Sequence, residues 1–251
     1  MAAARDNSSL KVLIVEAHPL YRDGLTRLIA QQAGWVLCGQ ADSEIGAREV
    51  TTRQQPDLII LSLHLENRGG LEMVRTLKTC SAKSQILVTA DNNNPHYVER
   101  ALRAGADGYL LKTENSEEVL AAFRSVVRGE LYLSPTLVSE VLRRTLESRN
   151  GRDRTGIESL TDRELRVFEL LGEGLSAREI AKRLHLSRKT VDSHRENTKR
   201  KLGLTSASAL AGSACEWLQR ESLPNPAAPS APTQWRSLSH RPDLRKRSRG
   251  R

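Results

Sequence analysis

The chain has 251 residues, of which 38% are hydrophobic, 27% charged and only 4% aromatic, with a formal net charge of +9. This is the composition of a globular protein with room for two ordinary domains, and its longest apolar runs fall far short of the roughly 20 residues a membrane span requires. The N-terminal "MAAARDNSSLKVLIVEAHP" has no basic segment leading into an apolar one, so no secretory signal and a cytoplasmic location are the expectation. Cys38, Cys80 and Cys215 are odd in number and widely spaced, against a disulfide framework or a metal knuckle and in keeping with a reducing compartment. The sequence pI near 9.8 points to a polyanionic partner. Seven Arg and Lys residues against one acid lie between Arg236 and Arg251, however, so much of the charge belongs to a tail.

From residue 10 to 128 short apolar runs alternate with amphipathic stretches. Strands are expected at 11–15, 35–39, 58–61, 85–89 and 108–111, and helices at about 19–32, 43–53, 70–79, 95–104 and 116–128. Leu58-Ile59-Ile60-Leu61 is apolar on both faces, as a central parallel strand must be. Five βα units predict a doubly wound α/β fold with a five-stranded parallel sheet. Its crevice lies at the C-terminal strand ends, which places Glu16, Ala17, Ser62, Thr89 and Lys112 there. Asp57 stands at the opposite end of its strand, five residues from the crevice. His18 belongs to the start of the first helix, and His64 and His96 show no metal-ligand spacing.

Residues 134–159 form a connector, helical over 133–148 and polar at "RNGRDRTG". From 160 to 220 the pattern is all-helical. Thr161-Asp-Arg-Glu164 and Ser176-Ala-Arg-Glu179 are capping boxes fifteen residues apart, each marking a helix start. The first helix runs to about Leu171 with Leu165, Phe168 and Leu171 inward, and Gly172 and Gly174 let the chain leave it. The second runs from Ala177 to Leu184, and Ser187 caps a third that reaches Leu202. A short helix, a tight turn and a longer polar helix make a helix-turn-helix, whose last member can enter the DNA major groove. Residues 221–251 hold five of the nine prolines and are read as a disordered basic tail.

The third helix carries Arg188, Lys189, Arg195, Lys199, Arg200 and Lys201 against Asp192 and Glu196. Cations there can anchor phosphates while Asp192, Ser193 and Glu196 face base edges. A solvated charged face is the plain alternative, and the two capped helices ahead of it favour DNA.

The stretch "LTDRELRVFELLGEGLSAREIAKRLHLSRKTVDSHRENTKRKLGL" (160–204) closely resembles the LuxR-type helix-turn-helix of NarL/FixJ-class response regulators, at Glu164, Gly174, Ile180, Ala181, Leu184, Ser187, Thr190, Val191, His194, Lys201 and Leu202. The resemblance implies a four-helix domain in which Thr190, His194 and Lys201 meet the DNA backbone and Asp192, Ser193 and Glu196 face the bases. It also implies a last helix, about 206–218, that pairs two copies. Thr198 departs from the family, which has an apolar residue there; its methyl can still pack.

Residues 10–133 resemble the receiver domain of the same class through "KVLIVEAHPLYRDGL" and "ALRAGADGYLLK". Thr89 and Tyr109 match its switch hydroxyl and aromatic, and Lys112 its lysine. The acids do not match. The family's adjacent acid pair stands here as Glu16-Ala17, its phospho-accepting Asp as Ser62, and the Pro four residues later as Glu66. Aspartyl phosphorylation needs a carboxylate nucleophile and a Mg²⁺ ion held by oxygens, so Mg²⁺ binding is expected to be weak or absent, with Glu66 the only nearby carboxylate in the loop. No metal, cofactor or catalytic residue is read. The expected function is a sequence-specific DNA-binding transcription regulator, acting as a homodimer on double-stranded DNA, away from membranes and independent of Asp phosphorylation. The alternatives are an interaction module whose receiver-like domain docks a histidine kinase or another regulator, and residual phosphoryl chemistry at Ser62 or Glu66.

Overall fold

The structure is a computed structural model that describes residues 9–63, 65, 70–91, 93–139, 141–142 and 156–222. Its N-terminal part alternates β1 (Leu10–Val15), α1 (Pro19–Ala30), β2 (Trp35–Ala41), α2 (Glu44–Gln54), β3 (Leu58–Ser62), α3 (Gly70–Cys80), β4 (Gln85–Ala90), α4 (Pro95–Ala104), β5 (Gly108–Leu111), α5 (Ser116–Val127) and β6 (Tyr132–Leu133). All strand pairs are parallel, in the order β2-β1-β3-β4-β5-β6. The sheet therefore has six strands where the sequence predicts five. β6 escapes a pattern reading because it is two residues long and half-buried on the edge. The order reverses beside β1 and β3, which opens the crevice at their C-terminal ends.

Every residue of β3 is buried. Strand alternation divides the core into two layers. Val12, Ile14, Leu58, Ile60, Leu87 and Leu110 face Leu25 and Ile29 of α1 and Phe123 and Val126 of α5. Leu13, Val15, Ile59, Leu61, Ile86, Val88 and Tyr109 face α2, α3 and α4. This second layer continues without a break into the C-terminal helices.

Residues 135–139 and 141–142 are helical, in line with the expected connector helix; "RNGRDRT", the rest of that helix, His64, Glu66 and the tail from 223 lie outside the described residues. After a 3₁₀ turn at Gly156–Ser159 come α6 (Asp162–Gly172), α7 (Ala177–Arg183), α8 (Arg188–Lys201) and α9 (Ala207–Ser222). Both expected capping boxes form, on Thr161 with Glu164 and on Ser176 with Glu179. Gly174 turns the chain with φ +85°. Gly172 does something else: a Cβ there would lie 2.6 Å from the Ala214 carbonyl, so glycine lets α9 approach α6. Leu210, Ala214 and Trp217 of α9 are buried, with the Trp217 and Phe168 rings 5.6 Å apart. Among the described residues no helix is long and apolar enough to cross a membrane.

Candidate nucleic-acid interface

Helix α8 starts where the Ser187 hydroxyl accepts a hydrogen bond from the Thr190 amide, at 3.0 Å. Val191 and Thr198 are fully buried and fix which face turns inward. Thr198 packs as its methyl allows, and its hydroxyl donates back to the His194 carbonyl at 2.8 Å, which satisfies the polar atom that an apolar residue would lack. His185, in the turn before α8, has φ 50°, a left-handed position more often filled by glycine.

The candidate residues fall on two flanks of α8. Arg188, Lys189, Asp192, Ser193 and Glu196 line one shallow outward concavity of about 580 Å³, together with Asn197, which the sequence reading missed. The Arg188 and Glu196 side chains are 75% and 70% exposed, so nothing among the described residues covers this face. Both carboxylates have cationic neighbours on the helix: Asp192 lies 3.1 Å from Arg195, and Glu196 lies 3.0 Å from Lys199. Thr190, His194 and Lys201 are half-buried on the other flank. Lys201 is committed within the domain, its ammonium 2.6 Å from Glu164. The same Glu164 oxygen accepts from the Thr161 amide at 2.8 Å, so one carboxylate ties the start of α6 to the end of α8. Burial alone would raise the Glu164 pKa; the Lys201 and Thr161 hydrogen bonds outweigh it and hold the carboxyl below its usual range. Burial also lowers the His194 pKa, favouring the neutral ring.

The polar groups of the receiver-like crevice are largely buried. Glu16 is 2% exposed, and its carboxylate meets the Lys112 ammonium at 2.9 Å and the His18 amide at 2.8 Å. Asp91, not singled out in the sequence, stands 3.7 Å from the same ammonium. Ala17 presents a methyl group, and the buried hydroxyls of Ser62, Thr89 and Tyr109 find no hydrogen-bond partner among the described residues. Among those residues, no group of three or more His, Cys, Asp or Glu side chains is placed to hold a metal ion.

A second feature missed in the sequence is a polar bridge from the receiver to the helical domain. The Tyr97 hydroxyl of α4 donates to Glu169 of α6 at 2.8 Å, deep in the interface, and Arg166 pairs with the same carboxylate. Arg100 binds Asp162 at 2.8 Å and the Ile157 carbonyl at 3.2 Å, and the His96 and Trp217 rings lie 6.1 Å apart. Burial raises the Tyr97 and Tyr109 hydroxyl pKa values, and the Glu169 charge raises both further. The clue was available: Glu169 stands four residues after Leu165, a charge on an apolar face.

Residues 12–124 match the model of the response regulator receiver domain, and residues 158–214 match that of bacterial regulatory proteins of the luxR family. A putative transcriptional regulator of Pseudomonas aeruginosa is 35% identical over 200 residues, covering 80% of this chain and 94% of the relative. The nitrate/nitrite response regulator protein NarL of Escherichia coli is 32% identical over 195 residues, covering 78% and 90%. RcsB of Salmonella enterica serovar Typhimurium, solved bound to promoter rprA with phosphomimetic BeF3⁻, superposes with a TM-score of 0.57 at 23% identity, over 83% of this chain and 99% of that one. The chain thus belongs to the family of DNA-binding response regulators that join a receiver domain to a LuxR-type helix-turn-helix.

Proposed function

We propose that this protein is a sequence-specific transcription regulator that reads duplex DNA with the outward face of α8, as a homodimer, and that its receiver works without aspartyl phosphorylation. One observation carries the reading: the Arg188–Asn197 concavity is open to solvent while both domains are docked. Arg188 and Lys189, at the first turn, are the phosphate anchors; Ser193 and Glu196 are the base readers, a carboxylate being an acceptor for the cytosine amino group. Thr190, His194 and Lys201 contact the backbone from the other flank, Lys201 only as far as Glu164 releases it. Pairing of two copies uses the outward side of α9, where Ala207, Ala211 and Gly212 are exposed.

The crevice residues do not fit Mg²⁺. The ion requires octahedral oxygen ligands, yet Ala17 offers none and the Glu16 carboxylate already neutralises Lys112. Ser62 offers a buried hydroxyl in place of the nucleophilic carboxylate.

Selection of bound duplexes from a random pool, with affinity measured against salt, tests the groove assignment. Lys189→Ala should weaken binding to every sequence and lower the log–log salt slope by about 1. Glu196→Ala should change preference at one base position, by about 1–3 kcal/mol. If both variants bind every duplex as the parent does, α8 does not enter the groove. Intact mass after acetyl phosphate and Mg²⁺ should show no adduct; a phosphoryl group on the receiver overturns the second half of the proposal.

A further inference from the structure

The outward concavity of α8 offers a duplex a limited set of hydrogen bonds. Arg188 and Lys189 can only donate, and the Asp192 and Glu196 carboxylates can only accept. Ser193 spends its hydroxyl proton on the Lys189 carbonyl, at 3.0 Å, which leaves its oxygen an acceptor. Asn197 is different. Its Oδ1 accepts from the Arg200 guanidinium at 2.9 Å, with a second lone pair to spare, and its Nδ2 has no partner among the described residues. Among the described side chains that line the concavity, Asn197 alone can therefore both donate and accept, from neighbouring atoms.

Asn94 and Asn115 cap helices through their side chains. Asn197 instead lies inside α8 and binds no backbone group among the described residues. It stands one helical turn beyond Ser193, on the same ridge, and next to Glu196. Asp192, Glu196 and Asn197 each have a cation three residues on, at 3.1, 3.0 and 2.9 Å, so the three acceptors are held alike. For Asn197 this contact has a second effect. A guanidinium donates and cannot accept, so it holds the amide oxygen on its own side and leaves Nδ2 to be offered elsewhere.

We propose, building on the entry of α8 into the major groove, that Asn197 reads an adenine there. Nδ2 donates to the adenine N7, Oδ1 accepts from the N6 amino group, and Arg200 is the residue that positions the amide. Adenine presents an acceptor beside a donor on this edge, which an amide matches and neither a carboxylate nor a cation does. The role rests on the groove reading and adds a base to it: Glu196 suits cytosine, and Asn197 suits adenine.

The test is selection of bound duplexes from a random pool by the full-length protein and its variants, followed by affinity measurements on single-base changes of the selected duplex. The parent should select adenine at a position beside the one that Glu196→Ala alters. Asn197→Ala should cut that preference by about tenfold or more, with the Glu196 position and the salt slope unchanged. Its folding is safe, since Asn197 is partly exposed and alanine is the better helix former. Asn197→Asp, which can only accept, should move the preference toward cytosine. Arg200→Met should reduce the adenine preference by about threefold; uniform weakening with the preference intact overturns the positioning role. If Glu196→Ala changes its base and Asn197→Ala changes none, the adenine role is wrong while the groove reading stands. Loss of a preference for some other base in Asn197→Ala overturns the adenine class. If neither variant alters selection, the groove reading fails and this role fails with it.

Discussion

The crevice of the sheet and the outer face of α8 hold similar inventories of polar atoms and treat them in opposite ways. In the crevice, Glu16 and Lys112 neutralise each other largely out of water, and the buried hydroxyls of Ser62, Thr89 and Tyr109 have no hydrogen-bond partner among the described residues. On α8, Arg188, Lys189, Ser193 and Glu196 stand in solvent. Buried ion pairs are held by geometry and surrender their partners only at a high cost, whereas exposed ion pairs are worth little and exchange readily. The first region holds its polar groups inside the fold, and the second presents them to solvent.

The largest expected effect on stability tests whether that contrast extends to the brace beneath α8. Glu164→Gln should cost about 1–2 kcal/mol by removing the charge-assisted bond to Lys201. Because the folded Glu164 pKa is lowered, this stabilisation is complete above the unfolded carboxylate value of about 4.3 and is lost as pH falls through the folded value. Melting curves of parent and variant should therefore differ most at neutral pH and converge in acid. A smaller effect probes the bridge between domains: a double-mutant cycle of Arg100→Ala and Asp162→Ala should give a coupling of about 1 kcal/mol, since both side chains are mostly buried. Zero coupling in thermal melts would mean that the docked arrangement is not held by this pair. The smallest belongs to the crevice. Ser62→Ala should change stability by less than about 0.5 kcal/mol, because its hydroxyl makes no hydrogen bond among the described residues; a larger loss in urea titrations would reveal a partner.

Much of this was legible in the chain itself. The buried strand Leu58–Leu61 and the capping boxes at Thr161 and Ser176 are local signals, written in residues a few positions apart, and they placed the elements to within a residue or two. Glu16 and Lys112 were both placed at the C-terminal strand ends, where they pair although β3 and β4 lie between their strands. What stayed hidden depends on contacts distant in sequence. Nothing near Lys201 indicates that its ammonium turns to Glu164, and nothing near Tyr97 indicates a partner at Glu169. β6 was missed because a two-residue edge strand has no period to read.

The unbroken apolar layer from the sheet through α4 to Trp217 has a calorimetric consequence. Units that share an interior lose it together, so the two halves should absorb heat in one peak instead of two. Binding at either end then raises the melting point of both. Duplex DNA on α8 should protect amides in α4, far from any nucleotide, against hydrogen exchange.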